Sequence, residues 1–129
     1  MNLMVCGGRD FNDKELLFKT LDDLVAKKGW KDIIILEGEA KGADTLAKDY
    51  VAKRNLLFKP YPADWKNWGK AAGPIRNKTM VTDCDYCVAF WDGQSRGTRS
   101  SIEFCRELNK PYTIVLYGDC LDKNVDQTN

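Results

Sequence analysis

Four short stretches of the chain carry residues able to grip a phosphate or a ribose. Gly7-Gly8-Arg9-Asp10 offers two glycines that let backbone approach a ligand, followed by an arginine whose fork matches phosphate or carboxylate. Glu37-Gly38-Glu39-Ala40-Lys41-Gly42-Ala43-Asp44 sets two glycines before a helix start, with Glu37 and Asp44 able to accept from ribose hydroxyls. Asp92-Gly93-Gln94-Ser95-Arg96-Gly97-Thr98 leads into another helix, whose free N–H groups and dipole favour an anion. Gly97 permits close approach there, and the hydroxyls of Ser95 and Thr98 can bond phosphate oxygens. In Gly73-Pro-Ile-Arg-Asn-Lys-Thr-Met80, helical spacing puts Arg76 and Met80 on one face, so that Met80 packs inward and Arg76 projects toward the same rim, with Asn77 beside it. An arginine held by a packed turn suits phosphate better than a mobile lysine. Two of these residues also have plainer readings: Asp44 as a helix cap and Glu37 as a solvated strand end.

The elements that must position these stretches alternate between strand and helix. Leu3–Cys6 is a short apolar run stopped by glycines, and Leu16, Leu17, Thr20, Leu21, Leu24 and Val25 follow at helical spacing from Asp13 to Lys28, with Asn12 or Asp13 as cap and Gly29 as stop. Ile33–Leu36 is too continuous in β-branched residues for a strand with one wet face. A second helix is expected from about Gly42 to Arg54, a third strand from Leu56 to Tyr61, a long loop over 62–73 and a short helix over Pro74–Thr82. Tyr86–Trp91, Thr98–Leu108 and Tyr112–Tyr117 complete the series as strand, helix and strand. Such alternation with right-handed crossovers predicts one three-layer Rossmann-like α/β domain over 1–117: a mostly parallel five-stranded sheet, helices on both faces and the four loops 7–12, 37–43, 62–73 and 92–97 on one rim. A polar tail, 118–129, is expected to follow. Trp65, Trp68 and Trp91 read equally as core filler or, for the two in the long loop beside Lys66 and Lys70, as a lid that stacks on a base.

Composition narrows the function classes. The 129 residues, 43% of them apolar, suffice for one core, and Lys+Arg at 20 against Asp+Glu at 19 leaves a formal charge of +1. That balance lacks the excess that drives non-specific binding to polyanions, so nucleic acid is not an expected partner; neither is a membrane, since no apolar run approaches the roughly 20 residues of a span. A cytoplasmic protein is expected. Cys84-Asp-Tyr-Cys87 has a metal-like spacing, but the chain holds no histidine, and its five cysteines, Cys6, Cys84, Cys87, Cys105 and Cys120, read as reduced apolar residues. No metal and no cofactor is expected.

The ordered set of motifs resembles the YspA-related branch of the SLOG superfamily. It comprises Val5-Cys-Gly-Gly-Arg-Asp-Phe11, Glu37-Gly-x-Ala-x-Gly-Ala-Asp44, Ala63-Asp-Trp65, Gly69-Lys-Ala-Ala-Gly-Pro-Ile-Arg-Asn77 with Met80, and Phe90-Trp-Asp-Gly-x-Ser-Arg-Gly-Thr98. The resemblance covers about residues 3–117 and implies a Rossmann-like domain, from bacteria or phages, that binds nucleotides or nucleotide-derived signals. Related folds often pair, which makes a homo-oligomer an expectation, with Phe104 and Tyr112 as interface or core. The LOG-type phosphoribohydrolases, or lysine decarboxylase-like proteins, also resemble the chain in Arg76 with Met80 and in Gly97-Thr98. Their glutamate just beyond the glycine loop has no counterpart, because positions 99–101 are Arg-Ser-Ser and Glu103 lies about 140° around the helix from Thr98. DNA-processing relatives, which bind single strands, share the Arg76-Asn77 pair. Glu39 departs from the branch, where glycine is common.

These readings rank as follows. A nucleotide or nucleotide-derived small molecule is bound through Gly7, Gly8, Arg9, Glu37, Gly38, Gly42, Asp44, Arg76, Asn77, Asp92, Gly93, Ser95, Arg96, Gly97 and Thr98. An enzyme cleaving the N-glycosidic bond of nucleoside monophosphates comes second, with Arg76, Glu37 and Asp44 as catalytic candidates. A single-strand DNA binder comes third.

Overall fold

A computed structural model describes residues 1–118; the expected polar tail, apart from Gly118, lies outside the described residues. Five strands, β1 (Asn2–Gly7), β2 (Ile34–Glu37), β3 (Leu57–Pro60), β4 (Tyr86–Trp91) and β5 (Tyr112–Leu116), form one sheet in the order β3-β2-β1-β4-β5, with every pairing parallel. Five helices connect and cover them: α1 (Lys14–Lys28), α2 (Ala43–Arg54), α3 (Trp65–Trp68), α4 (Ala72–Asp83) and α5 (Arg96–Glu107).

The continuous apolar strands are explained by two separate cores. Leu3 and Val5 of β1, Ile35 of β2 and Val88 and Phe90 of β4 pack with Leu17 and Leu21 of α1 and Ala47 and Val51 of α2. The alternate residues Met4, Cys6, Leu36, Cys87 and Ala89 face the other way, onto Met80 and Val81 of α4 and Ile102 and Cys105 of α5. Period-two alternation therefore distributes apolar residues to both faces rather than to one. The four described cysteines are all buried in the second core, where the sulfurs of Cys6 and Cys87 lie 3.9 Å apart. Tyr112 is also core, its hydroxyl accepting from Arg106 Nε at 2.9 Å, while Phe104 is half-buried against the same cluster.

The helix boundaries follow local chemistry. Asp13 caps α1 by accepting from the Leu16 N–H at 3.0 Å, and Gly29 ends it in the left-handed region at φ 67°. The stretch 62–73, expected to be a loop, instead contains α3 and a 3₁₀ turn over Gly69–Ala71, and α4 starts at Ala72 rather than Pro74. Asp64 organises this turn: its carboxylate accepts from the Asn67 N–H at 3.2 Å and from Asn67 Nδ2 at 2.7 Å. A single helical turn is too short to show an apolar period, which is why the pattern was silent. β3 is an edge strand whose four residues are all exposed. Among the described residues no helix is long and apolar enough to cross a membrane.

Gly42 is where two loops interlock. It precedes α2 at φ 78°, and a Cβ there would overlap the Gly8 carbonyl oxygen and lie 2.8 Å from the Arg9 carbonyl carbon. Gly29 has a similar φ but open space around it. Gly42→Ala should therefore destabilise the protein by about 3 kcal/mol or more, and Gly29→Ala by only about 1–2 kcal/mol, in urea unfolding; equal losses would show that the loops do not interlock here.

Candidate nucleotide site at the strand-order reversal

β1 is flanked by β2 on one side and β4 on the other, and the connections leaving β1 and β4 depart toward opposite faces of the sheet. A crevice must open between them at the carboxyl ends of these strands. The cleft found there has a volume of about 420 Å³. Gly7, Gly8, Arg9, Gly38, Asp44, Arg76, Asn77, Asp92, Ser95, Gly97 and Thr98, all expected from sequence, line it.

Glu37, Gly42, Gly93 and Arg96 do not. Glu37 ends β2 with no exposed surface, sealed under its own loop, and is neither a wall of the cleft nor a solvated strand end. Gly42 is spent on the contact with Gly8 and Arg9, Gly93 serves a turn at φ 85°, and Arg96 is exposed on the first residue of α5. Cys6, Asp10, Ala40 and Ser101 line the cleft without having been singled out. For Ser101 a signal existed, because it follows Thr98 by three residues and shares its helix face.

Each wall is built by polar groups acting on backbone. Asp92 Oδ1 accepts from the N–H groups of Gln94 at 2.9 Å and Ser95 at 2.7 Å, and the Ser95 bond holds its carboxyl below the usual range. Trp91, half-buried rather than core, donates its indole N–H to the Ser95 carbonyl at 3.1 Å. The loop is thereby folded so that α5 begins uncapped: Ser95 stands at its N-cap position with no side-chain bond to the helix. Beyond its own helix backbone and chain neighbours, Gly97 has no described atom within 4 Å of where a Cβ would stand, and the Thr98 hydroxyl is buried with no hydrogen-bond partner among the described residues.

The opposite wall is an interlock of three segments. Asp44 does not cap its own helix; its Oδ2 accepts from the N–H groups of Gly38 and Ala40, both at 3.1 Å. Arg76 donates through Nη1 to the carbonyls of Gly38 and, at 3.4 Å, of Tyr61, and through Nε to Asn77 Oδ1 at 2.8 Å. Asn77 in turn donates to the Gly97 carbonyl at 3.3 Å, tying α4 to the start of α5. Arg76 lies at the rim with Met80 packed inward, but its guanidinium is engaged by the protein itself. Two of its nitrogens hold the walls together, and Nη2 makes no hydrogen bond among the described residues. Arg9 makes no hydrogen bond or ion pair among the described residues and stands exposed at the rim.

Two carboxyls here are displaced from their ordinary behaviour. Burial pushes Glu37 up to about 7, against the Glu39 N–H that its Oε2 accepts at 2.6 Å, and leaves Oε1 without a hydrogen bond. Burial likewise raises Asp44 to about 6, opposed by the Ala40 N–H and the Arg76 charge. Glu39 itself takes φ 60°, the conformation in which glycine is at ease, and pairs with Lys48 at 2.6 Å. Its charge is therefore answered locally.

A second cleft of about 430 Å³ adjoins the first, sharing Arg9, Gly38, Ala40 and Arg76 with it. Trp65 lines this second cleft and is 53% exposed; Trp68, at 57%, is exposed outside it. Neither is core filler.

An all-parallel sheet in this order, with an uncapped helix terminus facing the reversal point, defines a Rossmann-like α/β protein. The chain belongs to the YspA, cpYpsA-related SLOG family, which matches residues 1–68. It is 30% identical over 123 residues to the Gene 61 protein of Mycobacterium phage D29, covering 91% of this chain and 96% of that one. In fold it is similar to DNA processing protein A from Streptococcus pneumoniae, with a TM-score of 0.73 at 16% identity, over 94% of this chain and 52% of that chain. The chain thus spans about half the length of that protein. DNA processing protein A from Helicobacter pylori, described by its single-stranded DNA binding mode, is similar at TM-score 0.64 and 18% identity, over 100% of this chain and 68% of that one. The Moco carrier protein of Chlamydomonas rheinhardtii matches at TM-score 0.55 and 15% identity, over 88% of this chain and 74% of that one.

These likenesses correct one expectation. Nucleic acid was set aside on the near-neutral net charge, yet a protein that binds single strands shares this fold. Net charge averages over the whole surface, so the balance of +1 excludes nothing about this rim, where Arg9 and Arg76 stand among Asp10, Asp44 and Asp92.

The raised carboxyls give a pH signature. Both hold their protons more tightly in the folded chain, so their favourable contribution is complete below pH ~4 and is lost as pH rises through about 6 and about 7. Glu37→Gln should raise stability at about pH 8 by on the order of 1–3 kcal/mol and flatten the decline over the preceding units. Urea midpoints across pH check this; no gain for the variant at alkaline pH would contradict the buried charge.

Proposed function

We propose that the chain binds a nucleotide, free or within a larger molecule, with its phosphate over the start of α5. The observation that carries this reading is Thr98, a cleft-lining residue 3% exposed in the first turn of a helix with an uncapped terminus, whose buried hydroxyl has no hydrogen-bond partner among the described residues. A buried hydroxyl left unbonded is costly unless a ligand completes it, and the uncapped first-turn N–H groups of a helix favour an anion. Gly97 leaves room for the phosphate, Arg9 and Nη2 of Arg76 supply charge, and the Asp44 carboxyl accepts from a ribose hydroxyl. The SLOG membership and the fold shared with a single-strand binder agree with such a ligand.

A second reading, hydrolysis of the N-glycosidic bond of a nucleotide, rests on Asp44 alone: a carboxyl raised to about 6 in the cleft is tuned for proton transfer. Glu37 is removed from that role by its burial under the loop, and Glu103 is exposed on α5 away from the cleft. Free base released from nucleoside monophosphates, and lost in Asp44→Asn, is its signature.

The binding reading is tested by calorimetry with 5′-nucleotides. Thr98→Val should weaken binding by about tenfold while leaving stability unchanged or improved, because the lost hydroxyl bonds nothing among the described residues. A panel of nucleotides that neither binds nor raises the melting temperature would defeat the proposal.

A further inference from the structure

We infer that the site takes a phosphate-linked dinucleotide unit, one nucleoside in each of the two adjoining clefts, with the second base stacked on Trp65. This rests on the nucleotide reading above and extends it. Each cleft, at about 420 and about 430 Å³, falls in the range of a small-molecule site, and they share a wall rather than lying apart. One mononucleotide with its phosphate over α5 leaves the second cleft unused.

The shared wall has the chemistry of a linking phosphate. Arg9 and Arg76 line both clefts; Arg9 has no partner among the described residues, and Nη2 of Arg76 is the nitrogen that its backbone bonds leave free. Two guanidinium groups at the junction suit a bridging phosphodiester or diphosphate better than a sugar or a base.

Beyond that junction stands an indole. Trp65 is the first residue of α3, whose turn Asp64 fixes through Asn67, so the half-exposed ring sits on ordered backbone. Gly73 of α4 faces the ring, and a Cβ there would come 3.4 Å from Trp65 Cη2. A tryptophan half exposed in the lining of a cleft, beside Lys41, Pro62 and Ala63, is available for a planar ring to stack on. Glu39 in the same cleft is paired with Lys48 and adds no uncompensated charge.

A free dinucleotide and two consecutive residues of a single strand present the same chemistry, and the experiment separates them. A 5′-mononucleotide, the 5′-phosphorylated dinucleotide and a longer oligonucleotide are titrated into wild type, Trp65→Ala, Trp65→Phe and Trp68→Ala. In wild type the dinucleotide should bind about tenfold more tightly than the mononucleotide, an advantage that Trp65→Ala abolishes and Trp65→Phe partly restores. Trp68→Ala, outside the clefts, should keep it. An oligonucleotide that outbinds the dinucleotide with steep salt dependence, and is weakened by Trp65→Ala, assigns the unit to a strand; equal affinities assign it to a free dinucleotide. Mononucleotide binding with no gain for the dinucleotide, or a gain indifferent to Trp65, overturns this inference and leaves the nucleotide reading intact. Binding of none of the three ligands overturns both.

Discussion

The site exists because two parallel strands side by side in the sheet send their chains to opposite faces. β1 and β4 pair directly, from Leu3 with Tyr86 to Gly7 with Phe90, yet the helices that follow them cover different sides. Covalent continuity then carries the two loops apart beyond the Gly8 N–H bond to the Phe90 carbonyl, and a cleft is left between them. The walls of the cleft are an answer to that geometry. The loops are stiffened by short polar contacts.

Stiffening is divided unevenly between the walls. On the β4 side one carboxylate, Asp92, shapes the turn, while Asn77 pins it from α4. On the β2 side Asp44 gathers the N–H groups of Gly38 and Ala40, and Arg76 gathers the carbonyls of Gly38 and Tyr61, so an acidic and a basic side chain hold the loop after β2 and tie it to the end of β3. Gly38 lies between them: a Cβ there would stand 2.9 Å from the Arg76 guanidinium carbon and 3.1 Å from Asp44 Oδ2. Its glycine is therefore demanded by the protein's own arginine, as Gly7 is by Ala43 and the β4 backbone. Gly97 alone of the cleft glycines faces open space.

Much of this was legible in the chain. Apolar runs without alternation implied strands covered twice, and the helices α1 and α2 were announced by spacing and by Asp13, Gly29 and the Gly42-Ala43-Asp44 start. The loops that meet at the rim could be named because each follows a strand. What the chain did not disclose were relationships across it. Nothing near Glu37 says that its own loop will fold over it, nothing near Arg76 says that two distant carbonyls will claim one of its nitrogens, and α3 is too brief to leave a period. The glycines misled in a consistent way, since close approach of backbone to backbone selects the same residue as close approach to a ligand. Only the surroundings of each Cβ position separate the two.

The exposed edge of the sheet carries a consequence of its own. Leu57 and Phe58 of β3 are 69% and 47% exposed, and an apolar edge strand invites another chain to add itself and begin a fibril. Tyr61 turns its N–H inward to the Glu37 carbonyl at 2.8 Å, so by alternation the backbone nitrogen of Pro60 faces outward, and a proline has no hydrogen there to offer. The strand thus ends in a missing donor just past its stickiest residues, next to the charge of Lys59. An incoming strand would find two side chains to lean on but an incomplete ladder to climb, and the same proline that shortens β3 guards the molecule against its own copies.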